Sequence, residues 1–304
     1  MSVAVAPQSA DSMLRLLAAY CYRAAYLLHH ALRLRPGAPL QNSKLIVVGS
    51  YRTGGAGKTP FCIWLCNYFA AQGKNIAILC HEYAFDEIAM LRQKFHDNEQ
   101  IEVFATRNRY KTAHELDKTR KFNIILCDDG FEDTRLVDTT TLILSWENAP
   151  TKISELWPLG KMRSLEQDHQ KNQRNTTKLS CSGENPDIQF VIDKVASLDG
   201  QEIPKNQKAF ALCGIGRPER FRQSLATCGI ETEKLFAFKD HCRNFAKKME
   251  FILKRNPDAL FIITEKDAAR LPETLIQQNK QLYIATQKVL VSPSALQKMD
   301  LLNL

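Results

Sequence analysis

The chain has 304 residues, enough for one large or two medium domains with a proper core, and its 44% hydrophobic and 24% charged content is that of a soluble globular protein. Nine scattered cysteines form no CxxC pair and fall mostly in apolar stretches, which excludes a disulfide frame or zinc site and suits buried thiols in a reducing compartment. A net charge of +8 favours an anionic partner: nucleic acid, a phosphorylated small molecule or an acidic membrane surface.

The first element is "SMLRLLAAYCYRAAYLLHHALRLRP", Ser12 to Pro36, a helix that Ser12 can cap and Pro36 stops. Arg15, Arg23 and Arg33 interrupt it, so no apolar run reaches the ~18 residues of a membrane span. On a helical wheel Arg33 returns to the line of Arg15, Arg23, His29 and His30 lie near it, and leucines fill the rest. A basic stripe on a wide apolar arc is the pattern of a helix lying in a membrane interface. No A-x-A-like site follows, so a cleaved signal peptide is not expected.

From Lys44 the pattern is α/β. Strand Leu45–Gly49 enters a glycine cluster, and a helix runs from Lys58 to Gln72. Strands at 75–80, 101–105, 122–130 and 141–145 alternate with helices near 88–95 and 110–118, which predicts a mostly parallel sheet with helices on both faces. Gln167 to Asn185 is polar and reads as an exposed loop. Strand 188–195 follows, and a second α/β unit begins at Ala209, so the expected division is an interface helix at 1–36, a phosphate-loop domain at 37–203 and a smaller α/β domain at 204–304, with the boundary near Pro204.

"RTGGAGKT" carries the chemistry. Glycines let backbone N–H groups approach phosphate oxygens, and the following helix adds aligned donors and its dipole. Arg52, Thr53, Gly54, Gly55, Ala56, Gly57, Lys58 and Thr59 are the candidate nucleotide cradle, with Lys58 a point charge for the β/γ-phosphates and Thr59 a hydroxyl for Mg²⁺. A dinucleotide loop would have no role for Lys-Thr. The metal needs an acid at the C-terminal end of a buried strand, and "IILCDDG" supplies Asp128 and Asp129. ATP and Mg²⁺ are therefore the expected cofactors.

"GGAGKTP", "DDGFED", "LWPLGKMRS", "CGIGRPERF", "FKDHCRNF" and "IITEKDAARL" occur in an order that resembles the tetraacyldisaccharide 4'-kinase family, the lipid A 4'-kinases of bacterial lipopolysaccharide synthesis. The resemblance runs from the N-terminal helix to about Pro272. It implies two α/β domains with the active site in the cleft between them and an N-terminal helix docked on the cytoplasmic face of the inner membrane. The implied reaction is transfer of the ATP γ-phosphate to the 4'-hydroxyl of a lipid-linked glucosamine disaccharide, with no nucleic-acid partner. The family's base maps to Asp86 in "FDEIAML", its paired histidine to His241 in "KDHC" and its "LRE" arginine to Arg163. Three motifs differ here: the family's "SRGY" is "CHEY" with Glu82, "DDGFQH" is "DDGFED" with Glu132 and Asp133, and "LRE" is "MRS" with Ser164. Another lipid or sugar acceptor for the same kind of kinase, and a phosphate-loop switch ATPase that phosphorylates nothing, are the competing readings.

Overall fold

The computed structural model describes residues 10–32, 37–172, 175–204, 207–239, 242 and 244–301. Its first sheet has six parallel strands in the order β3-β2-β4-β1-β5-β6: β1 Lys44–Gly49, β2 Ile76–His81, β3 Ile101–Thr106, β4 Ile124–Asp128, β5 Thr139–Ser145 and β6 Thr176–Ser180. Alternation along β1 explains both faces. Ile46 and Val48 pack with Phe61, Leu65 and Phe69 of α2 (Lys58–Ala70), while Leu45 and Val47 pack with Ala113 of α4 (Arg109–Thr119). The remaining crossover helix, α3 (Phe85–Lys94), lies on the α2 face through Ile88 and Leu91. β4 lies beside β1 with Val48 opposite Asp128, which brings the acid to the mouth of the glycine loop.

The second sheet has five strands in the order β7-β11-β10-β8-β9: β7 Ile188–Ala196, β8 Ala209–Cys213, β9 Thr232–Ala237, β10 Leu260–Thr264 and β11 Leu282–Val291. Its helices are α5 Pro218–Thr227, α6 Phe245–Arg255, α7 Glu265–Ala268 and α8 Glu273–Gln278, and α9 Pro293–Met299 closes the chain. α6 buries Phe245, Met249 and Leu253, one side of the helix, against Phe261 and Ile263 of β10.

Two expectations from sequence change here. The boundary near Pro204 lies within the second unit, because β7 pairs antiparallel with β11 along its whole length, from Ile188 opposite Val291 to Ala196 opposite Ile284. Ile188 and Phe190 of β7 and Val289 of β11 then reach the α2 core, and Ala295 and Met299 of α9 return to it. α2 is thus covered on both sides, which is why its sequence is apolar nearly all round. The polar stretch 167–185 is not all loop: residues 176–180 are edge strand β6, paired parallel with β5, where polar residues suit a strand with one free side.

The N-terminal helix, α1 (Ala10–Leu32), starts ahead of Ser12; Arg33 and Pro36 lie outside the described residues. Its polarity is inverted relative to a core-packed helix. Ala19, Arg23, Tyr26 and His30 face the protein, while Met13, Leu14, Leu17, Leu27, Leu28 and Leu32 are exposed. Arg23 Nη2 donates to Asp168 Oδ1 at 3.1 Å, so part of the basic stripe seats the helix on its own domain. No described helix is long and apolar enough to cross a membrane.

Candidate active site

The loop from Ser50 to Gly57 wraps the N-terminus of α2, and Gly55 and Gly57 adopt φ of 62° and 85°. A Cβ on Gly57 would lie 2.4 Å from the Phe190 ring, so glycine is required there by both conformation and space. The Trp146 indole N–H donates to the Ala56 carbonyl at 2.9 Å and holds the loop open. Thr53, Gly54, Gly55, Ala56, Gly57, Lys58 and Thr59 all line a cleft of about 910 Å³ between the two sheets. Arg52 does not: it is 6% exposed and pairs with Glu147 away from the cleft. A loop's alternate side chains point apart, and the Glu147 carboxylate captured this one.

The two adjacent acids have separate partners. Thr59 Oγ1 donates to Asp128 Oδ2 at 2.8 Å, whereas Asp128 Oδ1 is buried without a hydrogen-bond partner. Burial, and then the charge of Glu87, push the Asp128 carboxyl up to about 6. Asp129 faces cations: Lys58 Nζ lies 3.3 Å from Oδ1, and Arg163 Nη1 donates to Oδ1 at 3.1 Å and to Oδ2 at 3.2 Å. Burial works to raise the Asp129 carboxyl, but Lys58, Arg163 and Arg109 hold it below the usual range. A buried carboxylate oxygen without a donor, beside a threonine hydroxyl at a phosphate loop, fits a magnesium ion. That metal keeps several waters and takes one or two protein oxygens plus phosphate. Among the described residues no group of three or more His, Cys, Asp or Glu forms a self-sufficient metal cage, as expected for such a site.

Arg109 was missed by the sequence reading. It opens α4, donates to the Asp128 carbonyl at 2.9 Å and lines the cleft. The available signal was its position just past the C-terminal end of β3, on the crevice side of a parallel sheet. The second unit contributes Gly216, Arg217, Arg220 and Lys266 to the same cleft. A Cβ on Gly216 would stand 3.0 Å from the Gly55 nitrogen, so the "GIG" turn lies directly against the phosphate loop. The Arg220 guanidinium covers the Trp146 ring at 3.8 Å, and burial and then Arg217 lower its pKa to about 10.

Asp86 is in the seam between the two units. Its side chain is fully buried, with Lys266 Nζ 3.5 Å and Arg270 Nη1 3.8 Å from Oδ2. Glu87, the next residue, lines the cleft and accepts from the same Lys266 at 3.0 Å. Asp267 braces Arg270: it is buried, accepts from the Thr264 hydroxyl at 2.7 Å and the Gly214 N–H at 3.1 Å, and pairs with the guanidinium. The "TEKDAAR" stretch is therefore a clamp on the start of α3. Asp240 and His241 lie outside the described residues. Of the divergent positions, Glu82 pairs with Arg107 and Asp133 with Arg135, whereas Glu132 and Ser164 hydrogen-bond each other at 3.1 Å.

The family model described as tetraacyldisaccharide-1-P 4'-kinase, LpxK, matches residues 12–87 and 81–303. This chain belongs to that family. Among curated relatives, the tetraacyldisaccharide 4'-kinase of Shewanella woodyi is 27% identical over 252 residues, covering 74% of this chain and 70% of its own. That of Shewanella amazonensis is 26% identical over 300 residues, covering 85% and 82%. That of Chlamydia abortus is 24% identical, covering 76% and 73%. The fold matches a crystal structure of LpxK from Aquifex aeolicus in complex with ATP, with a TM-score of 0.66 at 18% identity over 93% of this chain and 96% of that one. The doubly layered α/β architecture with its phosphate-loop sheet is thus the family's fold.

Proposed function

We propose that this tetraacyldisaccharide 4'-kinase family member transfers the γ-phosphate of ATP to the 4'-hydroxyl of a lipid-linked glucosamine disaccharide 1-phosphate. The observation that carries the reading is the convergence of Lys58, Arg109 and Arg163 on the Asp128–Asp129 pair in one cleft walled by both units. Phosphoryl transfer is mostly positioning and charge neutralisation, and these groups supply both. The loop N–H groups and Lys58 bind the β- and γ-phosphates. Arg163 faces them from the opposite side of Asp129. Thr59 and Asp128 would hold magnesium, which when bound neutralises charge developing on the β- and γ-phosphate oxygens. Labelled ATP and tetraacyldisaccharide 1-phosphate in mixed micelles should yield a labelled lipid; absence of label with intact ATP binding would remove the substrate assignment and leave the switch-ATPase reading.

The acid pair that opens α3 takes the acceptor proton. The family pattern marks Asp86, which sits one side chain behind the cleft wall, with Lys266 between it and Glu87. Asp86→Asn should lower turnover strongly and cost roughly 1–3 kcal/mol of stability, because Lys266 and Arg270 keep Glu87 and Asp267 but lose the buried charge they share. Glu87→Gln should lower turnover less and leave melting nearly unchanged. The reverse order of turnover losses would move the base to Glu87.

The outward leucines of α1 support peripheral attachment to an anionic membrane, at the cytoplasmic face of the inner membrane where the family's lipid substrate would be met. Apolar burial gives on the order of 1.5 kcal/mol or more per leucine. Replacing Leu14, Leu17 and Leu28 together by glutamine should cut co-sedimentation with anionic vesicles at least ~10-fold, with the melting temperature held. Unchanged sedimentation would count against the interface role.

A further inference from the structure

The divergent residues Glu132 and Ser164 meet in a single buried polar cluster behind the phosphate site. Ser164 Oγ donates to Glu132 Oε1 at 3.1 Å, and the Tyr26 hydroxyl of α1 donates to Oε2. His30 Nε2, also on α1, lies 3.5 Å from Oε2, and His169 Nε2 lies 2.8 Å from Ser164 Oγ and 3.1 Å from the Tyr26 hydroxyl. His169 is 2% exposed and stacks on Phe131 with centroids 4.1 Å apart. Burial lowers the pKa of His169, and Ser164 and Tyr26 both donate to the carboxylate. Burial would raise the Glu132 carboxyl, but His30, His169 and Tyr26 hold it ionised.

Two short connections run from this cluster to the reacting phosphates. Ser164 directly follows Arg163, and Glu132 follows Asp129 by one turn of chain. Arg163 and Asp129 are themselves a bidentate pair. Burial disfavours the Arg163 charge, and Asp129 and then Glu132 restore it. One carboxylate therefore touches the helix with the apolar outer face on one side and the seat of the site arginine on the other.

We infer that Glu132 is a positioning residue that couples the seating of α1 to the orientation of Arg163. The inference rests on the kinase reading for its turnover arm only. Glu132→Gln should lower kcat on the micellar disaccharide about tenfold, with KM for ATP within about twofold of wild type. Adding Ser164→Glu to that variant should recover most of the lost turnover, since the carboxylate returns to the same contact from the other side. A merely structural role for Glu132 predicts no recovery.

Tyr26→Phe removes one hydroxyl and keeps the ring, so it tests the coupling even where Glu132→Gln folds poorly. It should lower kcat two- to fivefold and, with no substrate present, accelerate amide hydrogen exchange both in residues 13–32 and around Arg163, whose N–H is bonded to the Tyr51 carbonyl at 2.8 Å. If the wild type does not label the disaccharide, the substrate assignment fails, and the exchange measurement alone decides the coupling. Wild-type kcat in Glu132→Gln, a loss that Ser164→Glu does not recover, or exchange in Tyr26→Phe that changes on α1 but not at 162–164 would each overturn the inference.

Discussion

Lys58→Ala is expected to reduce phosphoryl transfer by about 10²–10³-fold or more while leaving the fold intact. Removing one pre-aimed charge or donor at a developing anion has a cost of that order. Lys58 stands at the first position of α2, its aliphatic stem is not part of the apolar core, and its partner Asp129 keeps Arg163 when the ammonium is lost. The melting temperature should therefore move by no more than a few degrees, and ATP affinity should fall because the cradle loses the ammonium at the start of α2. Turnover above about a tenth of wild type would sink the phosphate-loop kinase reading. Lys58→Arg tests the same charge with a different shape: a planar fork is a poor substitute for a compact ammonium held 3.3 Å from Asp129, and recovery should be slight.

Asp128→Asn should also damage activity severely, and it should carry an opposite effect on stability. The amide can keep the hydrogen bond from Thr59 but loses the negative oxygen that fits the metal, so turnover should fall about 10²-fold or more, with a much higher Mg²⁺ requirement. The stability argument follows from the sign of the shift. The folded-state pKa is raised to about 6 from 3.8, so the native state holds its proton more tightly than the unfolded chain does. Between those values stability falls as pH rises, and above about 6 the loss is complete. In metal-free buffer at pH 7–8 the variant should melt at or above the wild-type temperature, and the difference should vanish below about pH 4. Added Mg²⁺ should raise the wild-type melting temperature and not that of the variant. An unaltered Mg²⁺ titration together with near-normal turnover would make Asp128 a structural acid and displace the metal assignment.

The part of the site legible from sequence was the part built by contiguous residues. Gly55 and Gly57 are needed where the backbone turns left-handed, Lys58 and Thr59 follow at the first turn of a helix, and Asp128 ends an apolar strand; each signal is complete within a dozen residues or fewer. Arg163 was reached through a motif, and the structure places it on Asp129. Arg109 carried only the signal of its position after a strand, and Arg217 and Lys266, though inside recognisable motifs, look like any solvated cation until the opposing wall is known. Arg52 has a local context that does not reveal its partner. Its place in the loop suggests phosphate, and a glutamate nearly a hundred residues away captures it instead.

What the sequence alone determined is the set of local conformations: the glycine turn, the strand–helix alternation, the acids at a strand end, and an N-terminal helix too interrupted by charge to span a bilayer. These follow from backbone sterics, side-chain periodicity and capping, all of which act between near neighbours. Only the tertiary structure decided which sheet β7 joins, that a polar segment supplies edge strand β6, and that α1 turns its polar side inward. It also decided that Asp86 lies in the seam under Lys266 and Arg270, and that Glu132 meets Ser164, Tyr26 and His169 in one cluster. Each of these is a choice of partner across long stretches of chain, set by which buried surface and which counter-charge the folded molecule brings within reach, and no local preference encodes it.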